Sequence, residues 1–167
     1  MISMCLSDIH NDIENTYKIL QIVNEKRIDK LFISGDIGLD SIKILNSISN
    51  KIVAVKGNCD LSSYQEEAKF SLDDINYSYI NKKLVVITHG DKFDYYSYIS
   101  SYGDNFDIFI SGHTHCSLLK KNFKHIILNP GSVTYPRDGF SSYILIDDKE
   151  IKLMDFIKGN LIEKITY

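Results

Sequence analysis

The stretch DIFISGHTH, Asp107 to His115, sets a short apolar run, a glycine and two histidines one residue apart side by side. Asp107 to Ser111 reads as a short buried strand, and Gly112 opens a tight reversal that needs a residue without a Cβ. His113 and His115 are then imidazoles delivered at the strand's carboxyl end. The H-x-H spacing lets both side chains leave one face of an extended end. The same order recurs upstream: MCLS leads to Asp8 and His10, LFISG to Asp36, VAVKG to Asn58 and LVVIT to His89. In open α/β sheets, sites form outside the carboxyl ends of strands, where loops converge. Five loops therefore bring Asp8, His10, Asp36, Asn58, His89, His113 and His115 to one rim.

Outward from these runs, the first third alternates. Ile2 to Leu6, Leu31 to Ser34 and Ile52 to Lys56 read as strands. Between them lie a helix over Asp12 to Arg27, with Asn11 or Asp12 as N-cap, and a helical stretch carrying Ile42, Leu45 and Ile48. Strand, helix, strand, helix, strand predicts a parallel sheet covered by helices. The second half is strand-rich: Ile75 to Ile80, Leu84 to Thr88, Asp107 to Ser111, His125 to Leu128, Ser142 to Ile146 and Ile151 to Phe156. Only Phe93 to Ser101 reads as a helix there. Asp147-Asp148-Lys149 between apolar runs predicts a β-hairpin. A second, more antiparallel sheet accounts for this half, within one domain spanning residues 1–167.

With 167 residues, of which 44% are hydrophobic, the chain is long enough to bury one substantial core without disulfides or structural zinc. Nineteen Lys and Arg against twenty-two Asp and Glu give a net charge of -3, which argues against a protein that coats duplex nucleic acid. Cys5, Cys59 and Cys116 are odd in number and far apart, so a disulfide framework is not expected and a reducing cytoplasm is the natural compartment. No apolar run approaches the roughly 18 residues a bilayer span needs, and the N-terminus meets Asp8 too early for a secretion signal. Four of the five histidines fall in the polar clusters. The fifth, His125, starts an apolar run and reads as structural.

Two carboxylates, an amide oxygen and four imidazoles, with no thiolate among them, suit a pair of borderline-hard divalent cations. Asp36 is able to bridge such a pair, because a carboxylate carries two oxygens. Taken singly, an Asp or Asn after a strand is a turn former and a His there a surface residue. It is the set, in order and each at a strand end, that points to a metal centre.

These motifs, Asp8-Ile9-His10, Gly35-Asp36, Gly57-Asn58-Cys59-Asp60, His89-Gly90 and Gly112-His113-Thr114-His115, resemble those of the calcineurin-like metallophosphoesterase superfamily. Within it the chain is similar to the small bacterial and archaeal phosphodiesterases, which share the GNCD form of the third motif and a late Asn-Pro-Gly-Ser, here Asn129 to Ser132. The resemblance runs from Ile2 to about Phe156. It implies a four-layer αββα sandwich of two mixed β-sheets flanked by helices. It implies two divalent metal ions, Mn²⁺ foremost with Fe²⁺, Co²⁺, Ni²⁺ or Zn²⁺ as others. One would be held by Asp8, His10, Asp36 and His115, the second by Asp36, Asn58, His89 and His113. A hydroxide bridging the metals would attack phosphorus in line, on a small phosphodiester or nucleotide-like substrate. The catalytic set this implies is Asp36, Asn58, Cys59 and His89.

The chain departs from many relatives at two positions. Where phosphatases of the superfamily place a His as general acid, this chain has Cys59, either a proton donor or a small residue filling the loop. With a thiol there in place of His, protonation of the leaving group would be weak, which would favour esters with good leaving groups. Gly90 is followed by Asp91 rather than a second His, and that carboxylate either repels anionic substrates or orients His89. Cys59, Asp91 and Arg137, the last a phosphate clamp by its fork geometry, are the candidate substrate contacts. Asn129 to Ser132 reads as a turn under the site whose amides could also touch phosphate, and Asp60 as a hydrogen-bonding residue of its loop. The competing readings are a phosphomonoesterase and a non-catalytic scaffold of the same fold, like the small retromer subunit. Small size and the lack of a basic groove count against a protein phosphatase or nuclease. The subunit number, a homo-oligomer included, is open from sequence.

Overall fold

In a computed structural model of the protein, residues 1–166 are described. The first sheet takes β1 (Ser3–Leu6), β2 (Lys30–Ser34) and β3 (Ile52–Val55) in parallel. Between them run α1 (Ile13–Glu25) and α2 (Leu39–Leu45), the latter continuing as a 3-10 turn over Asn46–Lys51. Asp12 is the N-cap of α1, accepting from the Asn15 N–H at 2.9 Å.

The second sheet is built from β4 (Ile75–Ile80), β5 (Lys83–Thr88), β6 (Ile108–Ile110), β7 (Ser117–Lys121) and β8 (Ile126–Pro130). Its order is β4-β5-β6-β8-β7, with β5, β6 and β8 parallel and both outer strands antiparallel. The chain then returns to the first sheet as β9 (Ser142–Ile146), β10 (Glu150–Asp155) and β11 (Leu161–Thr166), in the order β11-β10-β9-β1-β2-β3. β9 and β10 form the hairpin expected around Asp147 to Lys149. α3 (Tyr95–Tyr102) lies between β5 and β6 in sequence.

Pleating assigns the two faces of β1 and β2. Met4, Leu6, Leu31 and Ile33 pack with Ile19, Val23, Ile42 and Leu45 of the helices. Cys5 and Phe32 face inward and pack with Val85, Ile108, Leu128 and Ile144 between the sheets. Tyr98 of α3 packs with Val86 and Phe109 on the far side of the second sheet. Helices, sheet, sheet, helix is the four-layer αββα sandwich expected, with two mixed sheets.

β7 and β11 go unmarked in the sequence reading, as does a 3-10 turn over Ser62–Glu66. In β7 only Leu119 is buried, and in β11 no residue is, so neither carries the apolar run that marks a central strand. Asn129 and Pro130 end β8 rather than forming a turn, and Gly131 and Ser132 are buried, so this segment offers no exposed amides to phosphate. No helix among the described residues is long and apolar enough to cross a membrane.

Candidate metal centre

The carboxyl ends of β1, β2, β3, β5 and β6 meet at one rim, and the loops leaving them are tied together through their backbones. Asp8 N–H donates to the Gly35 carbonyl at 3.1 Å, His10 N–H to Asp36 at 2.8 Å and Asn11 N–H to Ile37 at 2.9 Å. Asp8, His10, Asp36, His113 and His115 all have φ between 51° and 67°. Non-glycine residues rarely take this left-handed region, and such strain gathers at functional sites. It also corrects the expectation of an extended end at the H-x-H pair. The side chains are aimed by left-handed turns, not by strand pleat, and His113 and His115 diverge to opposite sides of the site.

On one side, His10 Nε2 and His115 Nε2 lie 3.2 Å apart, at 3.9 and 3.3 Å from Asp8 Oδ1. On the other, His89 Nε2 and His113 Nδ1 lie 3.1 and 3.0 Å from Asn58 Oδ1. Asp36 stands between them, Oδ2 at 3.7 Å from His10 Nε2 and Oδ1 at 3.6 Å from His89 Nε2. The structure thus brings all seven sequence-marked donors together, in the two groups the resemblance implies.

Backbone carbonyls set two of the rings. His115 Nδ1 lies 2.7 Å from the Tyr135 carbonyl and His89 Nδ1 2.7 Å from the Ser34 carbonyl. A carbonyl only accepts, so each Nδ1 carries the proton and each Nε2 presents a lone pair to the site. Asp8 is fully buried, and its Oδ1 has no hydrogen-bond partner. Burial pushes the Asp8 carboxyl up from its ordinary value, and Ser7, His89 and His115 oppose that shift. A buried carboxylate oxygen without a donor is costly unless a positive charge meets it. Orphaned oxygen, proton-free ring nitrogens and amide oxygen together fit divalent cations of borderline hardness.

The support is equally specific. The Asp60 carboxylate accepts from the N–H groups of Ile37, Gly38 and Gly57 at 2.9 to 3.1 Å, locking the β2 and β3 loops together. A Cβ on Gly57 would stand 2.0 Å from Asp36 Oδ1, and one on Gly112 would stand 1.8 Å from Ser7 Oγ. Close approach, rather than a left-handed φ, demands glycine at these two positions. Asn129 Nδ2 donates to the Gly112 carbonyl at 2.9 Å, and Ser132 Oγ to the Asp8 carbonyl at 2.9 Å. The late Asn-Pro-Gly-Ser therefore braces the site from below.

Cys59 is exposed beside the donors. Its N–H donates to Asp36 Oδ1 at 2.8 Å, and its sulfur accepts from Asn58 Nδ2 at 3.4 Å. Desolvation first, then Asp36, Asp60 and Asp8, push the thiol up to about 11. A cavity of about 210 Å³ opens here, lined by His10, Asn11, Asp36, Gly38, Leu39, Cys59, Asp60 and Tyr64. A larger one, about 440 Å³, lies behind the His113–His115 loop against Tyr95, Tyr96, Leu118 and Ile127. Of the two, only the smaller is lined by members of the seven-donor set, His10 and Asp36.

Asp91 does not orient His89, whose Nδ1 is taken by the Ser34 carbonyl; Asp91 is exposed and its charge acts on Lys92. Arg137 is exposed, its N–H donates to the His115 carbonyl, and among the described residues its guanidinium makes no hydrogen bond or ion pair. His125 is structural: it stacks on Phe106 and is held by the Tyr95 hydroxyl and the Asp104 carbonyl. Sequence reasoning missed Tyr135, whose ring centroid is 5.3 Å from that of His10, and the two orienting carbonyls. Backbone acceptors have no residue signature, so nothing in the sequence announced them.

Residues 1–150 match the family model described as a calcineurin-like phosphoesterase superfamily domain. The chain is 26% identical to phosphodiesterase YfcE of Escherichia coli over 98% of its length and 96% of the relative's. It is 34% identical to a probable metallophosphoesterase of Methanocaldococcus jannaschii over 76% of its own length and 66% of that protein's. In three dimensions it is similar to the Escherichia coli phosphoesterase Yfce, with a TM-score of 0.88 at 25% identity, covering 99% and 98% of the two chains. Vps29 of Entamoeba histolytica complexed with Zn²⁺ has the same fold, with a TM-score of 0.74 at 22% identity and 99% of each chain covered.

Proposed function

The chain belongs to the calcineurin-like phosphoesterase superfamily, and from that premise we propose that it is a metal-dependent phosphodiesterase of small phosphate esters, acting as one domain over residues 1–167. The observation that carries this reading is Asp36, with one carboxylate oxygen turned to each donor group. Asp8, His10, Asp36 and His115 would hold one divalent ion, and Asp36, Asn58, His89 and His113 a second. When bound, the ions supply positive charge against the phosphoryl oxygens and activate water as nucleophile; Mn²⁺ is the first choice, with Fe²⁺, Co²⁺, Ni²⁺ or Zn²⁺ as others.

The chain's own residues do the rest. The Ser34 and Tyr135 carbonyls hold His89 and His115 in the tautomer that presents Nε2. Asn58 faces two imidazoles with its amide oxygen and donates its N–H to the sulfur of Cys59, a side chain that lines the small cavity. Arg137, whose backbone N–H meets the His115 carbonyl and whose guanidinium is unpaired among the described residues, would be a cation for a phosphate oxygen. The diester preference rests on the phosphodiesterase among the relatives, and the cytoplasm is the compartment in keeping with an exposed free Cys59 and Cys116.

The test is hydrolysis of bis-p-nitrophenyl phosphate against p-nitrophenyl phosphate by chelated protein, with and without Mn²⁺. Turnover of the diester should return with metal and exceed that of the monoester. A larger monoester rate makes the protein a phosphomonoesterase. No turnover of either ester with any divalent metal overturns the enzyme reading in favour of a scaffold. Asp36→Asn should lose at least about a hundredfold in rate, because it weakens the ligand shared by both ions.

A further inference from the structure

Cys59 adds a donor of a different kind to the site. Its Sγ, a ring nitrogen of His10 and a carboxylate oxygen of Asp36 all lie within 4.8 Å of one another. Bonds of about 2.3 Å to sulfur and about 2.0–2.2 Å to nitrogen or oxygen span that spacing around one cation. A second observation points to the same corner. The fully buried Asp8 leaves its unpartnered Oδ1 facing His10 and His115, 3.9 and 3.3 Å from their Nε2 atoms. The Cys59 sulfur itself is exposed, and the Asn58 amide is its hydrogen-bond donor.

We propose that Cys59 is a conditional metal ligand on the His10 side, recruited by soft cations such as Cd²⁺ and left free by hard ones such as Mn²⁺. This rests on the metal-centre reading above. Thiolate sulfur favours soft ions, whereas carboxylate and water suit Mn²⁺ and Mg²⁺. With Asp8, His10, Asp36 and His115 already converging, a sulfur donor fills the position that a catalytic site keeps open for water or substrate. Coordination releases the thiol proton to solvent. Cys59 thereby makes the centre discriminate between cations: hard ions leave it open to substrate, and soft ones close it.

The experiment is titration of the metal-stripped full-length protein with Cd²⁺ and Mn²⁺, wild type beside Cys59→Ser, Cys59→Ala and Cys116→Ser, with folding checked by thermal unfolding. Sulfur-to-cadmium charge-transfer absorption should develop in wild type and Cys116→Ser and be missing from both Cys59 variants. Cd²⁺ affinity should fall about tenfold or more in those variants, with Mn²⁺ affinity unchanged. A band that survives loss of Cys59, or that disappears with Cys116→Ser, overturns the proposal and leaves the metal centre standing. If neither Cys59 variant folds, the wild-type spectrum decides, because Cd²⁺ bound without a charge-transfer band overturns it. If wild type binds neither ion, the metal-centre reading falls and this inference with it.

Discussion

Gly57 shows what a residue can contribute by lacking atoms. Its N–H donates to Asp60, and an added methyl would stand 2.0 Å from Asp36 Oδ1 and 2.3 Å from the Asp36 nitrogen. Neither obstacle is the far end of a flexible chain, because Asp36 is buried and accepts from the Cys59 N–H. Gly57→Ala must therefore move the residue that stands between the two donor groups. We expect a stability loss of about 1–3 kcal/mol in urea unfolding, but a rate on bis-p-nitrophenyl phosphate with Mn²⁺ that falls about a hundredfold, as displacements near 1 Å do. A wild-type rate would mean that Asp36 does not need its present position. At this scale the sequence was informative about kind and poor about aim. It marked seven polar residues after strands, and the structure brings them together. That five of them are turned by left-handed backbone follows from loop-to-loop hydrogen bonds that residue identity does not encode.

Among the elements, the β9–β10 hairpin was legible because two apolar runs flank Asp147-Asp148-Lys149, a polar turn. Asp147 closes that turn, accepting from the Lys149 and Glu150 N–H groups at 2.9 Å and from Lys152 Nζ at 2.9 Å. The Lys149 N–H, then Lys152 and the Glu150 N–H, lower its carboxyl from 3.8 to about 2. A depressed folded value means that the native state favours the ionised form. The stabilisation is complete above the unfolded value near 3.8 and is lost as pH falls through about 2. Asp147 is partly exposed, so solvent screens the gain and it stays small. Asp147→Asn should therefore lower the melting temperature slightly at pH 7, and the gap to wild type should close as pH falls from 4 to 2. A gap independent of pH would assign the loss to turn geometry instead of charge. β7 and β11 escaped the sequence for the converse reason: both lie at sheet edges with most side chains in solvent, so no apolar run marks them.

For the whole molecule, the folded chain assembles a centre that costs it stability on its own account. Left-handed φ at Asp8, His10, Asp36, His113 and His115, and an Asp8 oxygen buried without a donor, are terms that oppose folding. These groups come from the carboxyl ends of both sheets, so their alignment depends on the sandwich being closed. Two ions bound there would between them draw on five loops and bind the native state far better than the unfolded one, where the donors are scattered over 108 positions from Asp8 to His115. Linkage then gives about 2.7 kcal/mol at a free metal concentration a hundredfold above Kd. At about 2–4 °C per kcal/mol for a chain of this length, that is a rise of roughly 5–11 °C in melting temperature. Chelated protein with added Mn²⁺ should show this rise at neutral pH, and the rise should shrink in acid, because protons compete with the cation for the same side chains. Asp8→Ala removes the orphaned oxygen and with it both the burial cost and a ligand. The chelated variant should melt at or above chelated wild type, while losing most of the Mn²⁺-induced rise. If Asp8→Ala keeps the full rise, the buried oxygen is not what the cation answers.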